Sequence, residues 1–173
     1  MHIHKLLVLF LTMLPFSLFG DSPLETGATA PSAVIPNHLG EPVDLAALYA
    51  AGPVLVYFYP KSDTPGCTKQ ACNLRDNFAD LQDAGLQVVG VSMDSVANQL
   101  AFQQKYSLPF ILLADENKAL GKAFGVNSFA GMAYKRQSFL VVDGKIVWRD
   151  LGASPATQSS DALKALQQWR ANP

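Results

Sequence analysis

Residues 54–72 read VLVYFYPKSDTPGCTKQAC, and the change of pattern inside this stretch sets the architecture. Val54 through Tyr59 form an unbroken apolar and aromatic run, as expected of a strand buried on both faces. Pro60, Pro65 and Gly66 interrupt it with a turn, and a helix is expected over about residues 67–83. Cys67 then falls in the first helical turn. There, unpaired backbone N–H groups and the positive end of the dipole favour a thiolate over a thiol. At 100° per residue, Ala71, Leu74, Phe78 and Leu81 lie within about 40° of Cys67. The cysteine therefore heads the stripe that faces the sheet, and a sheltered pocket is expected around it.

Working outward, strands are expected at 86–92 and 110–114, with a helix at 95–106 between them and a short helix at 118–124. Residues 137–142 and 145–148 flank Asp143-Gly144, a two-residue hairpin signal, and residues 161–170 close the chain as an amphipathic helix with Ala162, Leu166 and Trp169 on one face. Ahead of the buried strand, Val34-Ile35 and Pro42-Val43 flank Asn37-His38-Leu39-Gly40 as a short hairpin. This order predicts an α/β, thioredoxin-like fold: a mixed central sheet with helices on both faces and an N-terminal hairpin. Residues 32–173 are expected as one domain and residues 21–31, rich in Gly, Pro, Ser and Thr, as a tether.

Residues 1–20 carry Lys5, His2 and His4 ahead of a 14-residue apolar run, 6–19, broken by Pro15. That run is shorter than the ~20 residues a bilayer crossing needs and has the length of a signal-peptide core. Cleavage near Gly20 would release an exported, soluble protein with no membrane contact, and in a bacterium its compartment would be the periplasm; a buried N-terminal helix or an uncleaved anchor is the alternative. The 49% apolar and 16% charged composition excludes a disordered chain or a charged coiled-coil rod. With 13 basic and 14 acidic residues and no basic cluster, nucleic-acid binding through phosphate contacts is not expected.

Cys67 and Cys72 are the two cysteines. Export by itself suggests a structural disulfide, but on an intact helix their Cα atoms would stand about 8.7 Å apart, beyond the ~7 Å limit for a bond. A permanent staple would need a broken helix, whereas a catalytic pair could alternate between a folded dithiol and a locally unwound disulfide. Other thiol chemistries lack their parts. A Cys-His hydrolase needs an imidazole base, and beyond the leader there is only His38, in a hairpin turn and expected at the surface. Dithiol exchangers of the thioredoxin type place two residues between their cysteines rather than four. No further Cys or His ligands accompany the pair to hold zinc or copper, Gly121 to Gly125 lacks the Lys-Ser/Thr ending of a phosphate loop, and Asp115-Glu116 is expected to cap a helix. No cofactor is expected. What remains for an activated thiolate without a base is a substrate whose leaving group departs easily, such as the O–O bond of a peroxide.

Pro60, Thr64 and Cys67 match the Pro-x-x-x-Thr-x-x-Cys motif of peroxiredoxins, and TPGCTKQAC over 64–72 resembles the atypical two-cysteine branch called peroxiredoxin Q or bacterioferritin comigratory protein. The resemblance extends over residues 27–150 and fades after Leu151, where residues 152–160 follow no recognisable pattern. It implies a thiol peroxidase in which Cys67 is the peroxidatic nucleophile, Cys72 the resolving cysteine that forms an intrachain disulfide with it, and Arg136 the basic partner of the thiolate. Thr64 would place its hydroxyl near the sulfur or cap the helix. Pro60 would wall off water or simply end the strand. The backbone N–H groups of Gly66 and Cys67 would supplement the arginine in binding peroxide. Residues 129–134, just before Arg136, are placed to shape a hydroperoxide pocket. The implied partners are hydrogen peroxide or organic hydroperoxides and a thioredoxin-like or glutaredoxin-like reductant, and an intrachain resolving cysteine lets the protein act as a monomer. Two readings compete with this one: an exported thioredoxin-like binding module with a permanent Cys67–Cys72 disulfide, and a thiol-disulfide exchanger acting on proteins.

Overall fold

Alternation within the strand Val54–Phe58 separates two cores. Leu55 and Tyr57 face one, while Val54, Val56 and Phe58 face the other, none of them more than 1% exposed. The computed structural model describes residues 22–172, so the expected leader lies outside the described residues. In chain order the elements are β1 (Val34–Pro36), β2 (Pro42–Asp44), α1 (Leu45–Ala51), β3 (Val54–Phe58), α2 (Pro65–Asp76), α3 (Phe78–Asp83), β4 (Gln87–Ser92) and α4 (Val96–Tyr106). They continue with β5 (Ile111–Ala114), α5 (Ala119–Ala123), β6 (Ser128–Phe129), β7 (Ala133–Tyr134), β8 (Gln137–Val142), β9 (Lys145–Asp150) and α6 (Gln158–Ala171). The central sheet runs β5-β4-β3-β8-β9. Its first three strands are parallel, β8 is antiparallel to β3, and β9 returns as a hairpin partner of β8.

One face of the sheet carries Tyr57, Tyr59, Cys67, Ala71, Leu74, Phe102, Ala162 and Leu166, which brings α2, α4 and α6 together over β3 and β8. The opposite face carries Leu45, Tyr49, Leu120, Phe124, Tyr134 and Phe139 beneath α1 and α5. This is the expected thioredoxin-like arrangement of a mixed sheet covered on both sides. Each large apolar side chain so buried contributes about 1.5–3 kcal/mol.

The structure departs from the sequence expectations at several places. The helix expected over 67–83 is two helices, because Asn77 adopts φ −110°, ψ 18° and its side-chain amide donates to the Asn73 carbonyl at 2.8 Å. α1 was not anticipated; Asp44 caps it by accepting the Ala46 amide at 2.9 Å, and Leu45 and Tyr49, four residues apart, supply its buried face. The expected tether is pinned for residues 22–31. Leu24, Gly27 and Ala30 donate to the carbonyls of Phe124, Ile146 and Gly144, and Arg149 bonds the Pro23 and Leu24 carbonyls and pairs with Glu25. His38 is half-buried rather than free at the surface. Its Nδ1 accepts the Leu112 amide of the edge strand at 3.4 Å, and burial pushes the imidazole below its usual value.

α5 positions the stretch that leads into Arg136. Asp115, buried at the end of β5, accepts the amides of Leu120 and Gly121 at 3.1 and 2.8 Å, as expected of a capping residue, and also accepts the Tyr134 hydroxyl at 2.5 Å. Gly121 permits this because a Cβ there would meet the Tyr134 ring at 2.3 Å. Gly121→Ala should therefore lower the unfolding free energy by about 1–3 kcal/mol through overpacking, measured by urea denaturation; unchanged stability would show that Tyr134 is not held by this contact.

Candidate active site

β3 delivers the chain to a loop that is tied down before the cysteine helix begins. Tyr59, fully buried, donates its hydroxyl to Gln99 and lies 3.3 Å from the Ser62 hydroxyl. The Ser62 amide donates to Asp94 at 2.8 Å, Ser92 donates to the same carboxylate at 2.7 Å, and Gln99 donates to the Leu113 carbonyl at 2.9 Å. Burial pushes the Tyr59 phenol well up, so it stays a neutral donor. Asp63 sits at φ 58° and accepts from Lys105 at 2.9 and 2.7 Å and from Tyr106 at 2.6 Å. The hydrogen bonds from Lys105 first, and then from Tyr106, hold its carboxyl below the ordinary range.

α2 begins two residues ahead of the expected start, with Pro65 and Gly66 inside the helix, and Cys67 keeps its expected place in the first turn. Thr64 is extended, at φ −96° and ψ 153°, as a residue before proline prefers. Pro65 occupies the first helical position, and Cys67 is the third residue of the helix. The Thr68 amide makes the first α-helical bond, to the Thr64 carbonyl at 2.8 Å, so the amides of Gly66 and Cys67 precede the intrahelical ladder. No acidic side chain lies in this first turn to oppose negative charge on sulfur. Cys67 is 2% exposed, in the sheltered position the helical stripe requires.

Arg136 lies between β7 and β8, 69 residues further along the chain, and its Nη2 donates to Cys67 Sγ at 3.5 Å. Its Nη1 donates to the Gln70 side-chain oxygen. Gly66 eases this approach, since a Cβ there would stand 3.1 Å from Arg136 Nη2 and the guanidinium would have to give by a few tenths of an ångström. A fixed cation thus reaches the sulfur at the first turn of α2. Thr64 does not cap the helix through its side chain: its hydroxyl donates to the Lys61 carbonyl at 2.9 Å. Pro60 is half-buried between β3 and the loop.

Cys67 and Cys72 are both free thiols, Cys72 half-buried, on the uninterrupted helix Pro65–Asp76. Regular helical geometry therefore keeps their Cα atoms about 8.7 Å apart, out of bonding range. Sequence reasoning missed Gln70, Ser138 and Gln158. Gln70 Nε2 donates to Gln158 Oε1 at 2.7 Å, and Ser138 donates to the same oxygen at 3.0 Å. The spacing of Gln70 three residues after Cys67 was a usable signal, but nothing local marked Gln158. Tyr57, beneath the helix, has a buried hydroxyl without a hydrogen-bond partner; burial above all, with Tyr59 and Cys67 adding, raises its phenol far above its usual value. Among the described residues no group of three His, Cys, Asp or Glu side chains is arranged to hold a metal, and no helix is long and apolar enough to cross a membrane.

A buried thiol at a helix start, faced by an arginine and followed by a second thiol on the same helix, is the arrangement of a thiol peroxidase, and the chain belongs to the AhpC/TSA family, whose pattern matches residues 26–149. It is 46% identical over 132 residues to peroxiredoxin Bcp of Escherichia coli strain K12, covering 72% of this chain and 84% of that protein. Two solved structures from Xanthomonas campestris are similar at 28% identity. Peroxiredoxin Q superposes with a TM-score of 0.75 over 86% of this chain and 98% of that one. A bacterioferritin comigratory protein described for alkyl peroxide reduction superposes at 0.76 over 86% and 99%. Within the family the chain falls in the peroxiredoxin Q/Bcp branch, and its activity is that of a thiol-dependent peroxidase. The binding-module and exchanger readings are not favoured.

The guanidinium position can be tested directly. Arg136→Met should slow peroxide oxidation of the thiol by about 10²–10³-fold, the usual cost of removing a donor aimed at developing charge. Gly66→Ala should slow it by no more than about threefold, because the guanidinium need give by only a few tenths of an ångström. A stopped-flow rate equal to wild type in Arg136→Met would contradict a role for the guanidinium at the sulfur.

Proposed function

We propose that Cys67 is the peroxidatic nucleophile and Cys72 its resolving partner, and the observation that carries this reading is the Arg136 guanidinium on the buried Cys67 sulfur. The Cys67 thiolate attacks the terminal oxygen of ROOH. The O–O bond breaks, its electron pair leaves with RO⁻, a proton converts that to alcohol or water, and the sulfur becomes a sulfenic acid. Arg136 and the first-turn amides of Gly66 and Cys67 stabilise the charge that develops on oxygen. Pro60, which has no amide hydrogen, and the Lys61–Thr64 turn exclude water from the sulfur.

Resolution requires the first turns of α2 to open. Cys72 then reaches Cys67, its sulfur displaces hydroxide from the sulfenic acid, and a disulfide and water result. An external dithiol returns both cysteines to thiols by exchange. Support for a thioredoxin-like or glutaredoxin-like donor comes from the family, and support for organic hydroperoxides beside hydrogen peroxide comes from the alkyl peroxide activity described for the Xanthomonas campestris relative. The residue 1–20 pattern supports export to the periplasm as a soluble protein, and the intrachain disulfide supports a monomer.

Cys67→Ser should abolish peroxide consumption in a coupled reductant assay. Cys72→Ser should leave the first oxidation at the wild-type rate and stop at the sulfenic acid, detected by dimedone labelling and mass spectrometry. Normal turnover by Cys67→Ser would overturn the assignment.

A further inference from the structure

Gln158 lies in α6, beyond the residues 26–149 that carry the family match, yet its side chain belongs to an unbroken line of hydrogen bonds that ends on the Cys67 sulfur. Ser138 Oγ and Gln70 Nε2 both donate to Gln158 Oε1, at 3.0 and 2.7 Å. Gln70 Oε1 accepts from Arg136 Nη1, and Arg136 Nη2 donates to Cys67 Sγ at 3.5 Å. Gln70, Ser138 and Gln158 are each no more than 1% exposed.

Every link in this line has a polarity. A guanidinium offers only donors, so Gln70 must present its carbonyl oxygen to Arg136. An amide turned half a revolution would set its NH₂ against the guanidinium and push it off the sulfur. Gln158 prevents that turn because its oxygen accepts from the Gln70 NH₂, and Ser138 fixes the orientation of Gln158 by donating to the same atom. The Gln158 Nε2 is buried with no partner. A residue present only to fill space would not carry an orphaned donor, since a methionine of similar length fills the same volume without one.

We infer that Gln158 is a positioning residue of the peroxidase site: it holds the Gln70 amide in the one orientation that keeps the Arg136 guanidinium on Cys67. The inference rests on the peroxidase reading above. It also means that the C-terminal helix helps to build the site, and that unwinding the α2 turn containing Gln70 withdraws the support of Arg136 at the moment the disulfide closes.

The test compares Gln158→Met with Gln158→Glu, whose carboxyl keeps an oxygen at the Oε1 position to accept from Gln70 and Ser138. Two readouts are taken: the stopped-flow rate of oxidation by hydrogen peroxide, and the pH midpoint of Cys67 alkylation by iodoacetamide in a Cys72→Ser background. Gln158→Met should oxidise about tenfold more slowly, with its alkylation midpoint moved to higher pH, while Gln158→Glu should stay within about threefold of wild type. A purely structural role would lower stability without moving the midpoint, and that result overturns the inference, as does a Glu variant as slow as the Met variant. Should Gln158→Met fail to fold by circular dichroism, Ser138→Ala takes its place, with about threefold slowing expected and a wild-type rate contradicting the inference. Slow oxidation of the wild-type chain would contradict the peroxidase reading itself, which separates the two failures.

Discussion

The contact between Arg136 and Cys67 is the constraint around which the rest of the molecule is arranged. Two groups 69 residues apart must meet within 3.5 Å in a site that water scarcely enters. The sheet makes this possible by pairing β3 antiparallel to β8, with Phe58 opposite Gln137, so that the strand leading to the cysteine loop and the strand following the arginine end side by side. The loop is then held by Tyr59, Ser62 and Asp63 and the arginine by Gln70, and the missing side chain of Gly66 eases the approach between them. Preorganisation of this kind makes a positive charge effective, because it need not move as the reaction develops.

In the proposed cycle, the same helix that creates the site also keeps it reversible. A helix start suits an anionic sulfur, yet the regular geometry that follows holds Cys72 out of bonding range until the helix opens. A fully rigid helix would trap the oxidised sulfur, and a frayed one would spoil the environment that makes the thiol reactive. Asn77 ends α2 soon after the second cysteine, so the segment that must open is short and separate from α3. Leu74, fully buried, anchors the far side of that segment in the core. The polar contacts of Gln70 and Asn73 to Gln158, Ala156 and Ser159 are made by residues that flank Cys72, and the proposed unwinding of this region would break them.

What the sequence disclosed follows from where the physical information is local. The strand at 54–58, the turn marked by Pro60 and Pro65, and the placement of Cys67 at a helix start all depend on neighbouring residues, and all are present in the structure. Arg136 was reached only through the family motif, because an arginine before a strand carries no local sign of what it faces. The departures have local causes of their own: one asparagine side chain bonding back to the helix splits the long helix, and backbone bonds to the β9 hairpin fasten a segment whose composition resembles a tether. Gln158 was illegible for a different reason. It sits in a stretch without pattern, and its meaning appears only when α6 packs beside α2 and β8, 88 residues from Gln70 and 20 from Ser138.

Hydrogen exchange, read residue by residue on the reduced protein and again after one equivalent of peroxide, addresses the account at its centre. The amides of residues 68–73 should be protected in the dithiol state and lose that protection once mass spectrometry shows the Cys67–Cys72 bond, while β3 and β4 remain protected. Equal protection of α2 in both states, with the disulfide demonstrably formed, would mean that the helix does not separate the two sulfurs as described and would contradict the account.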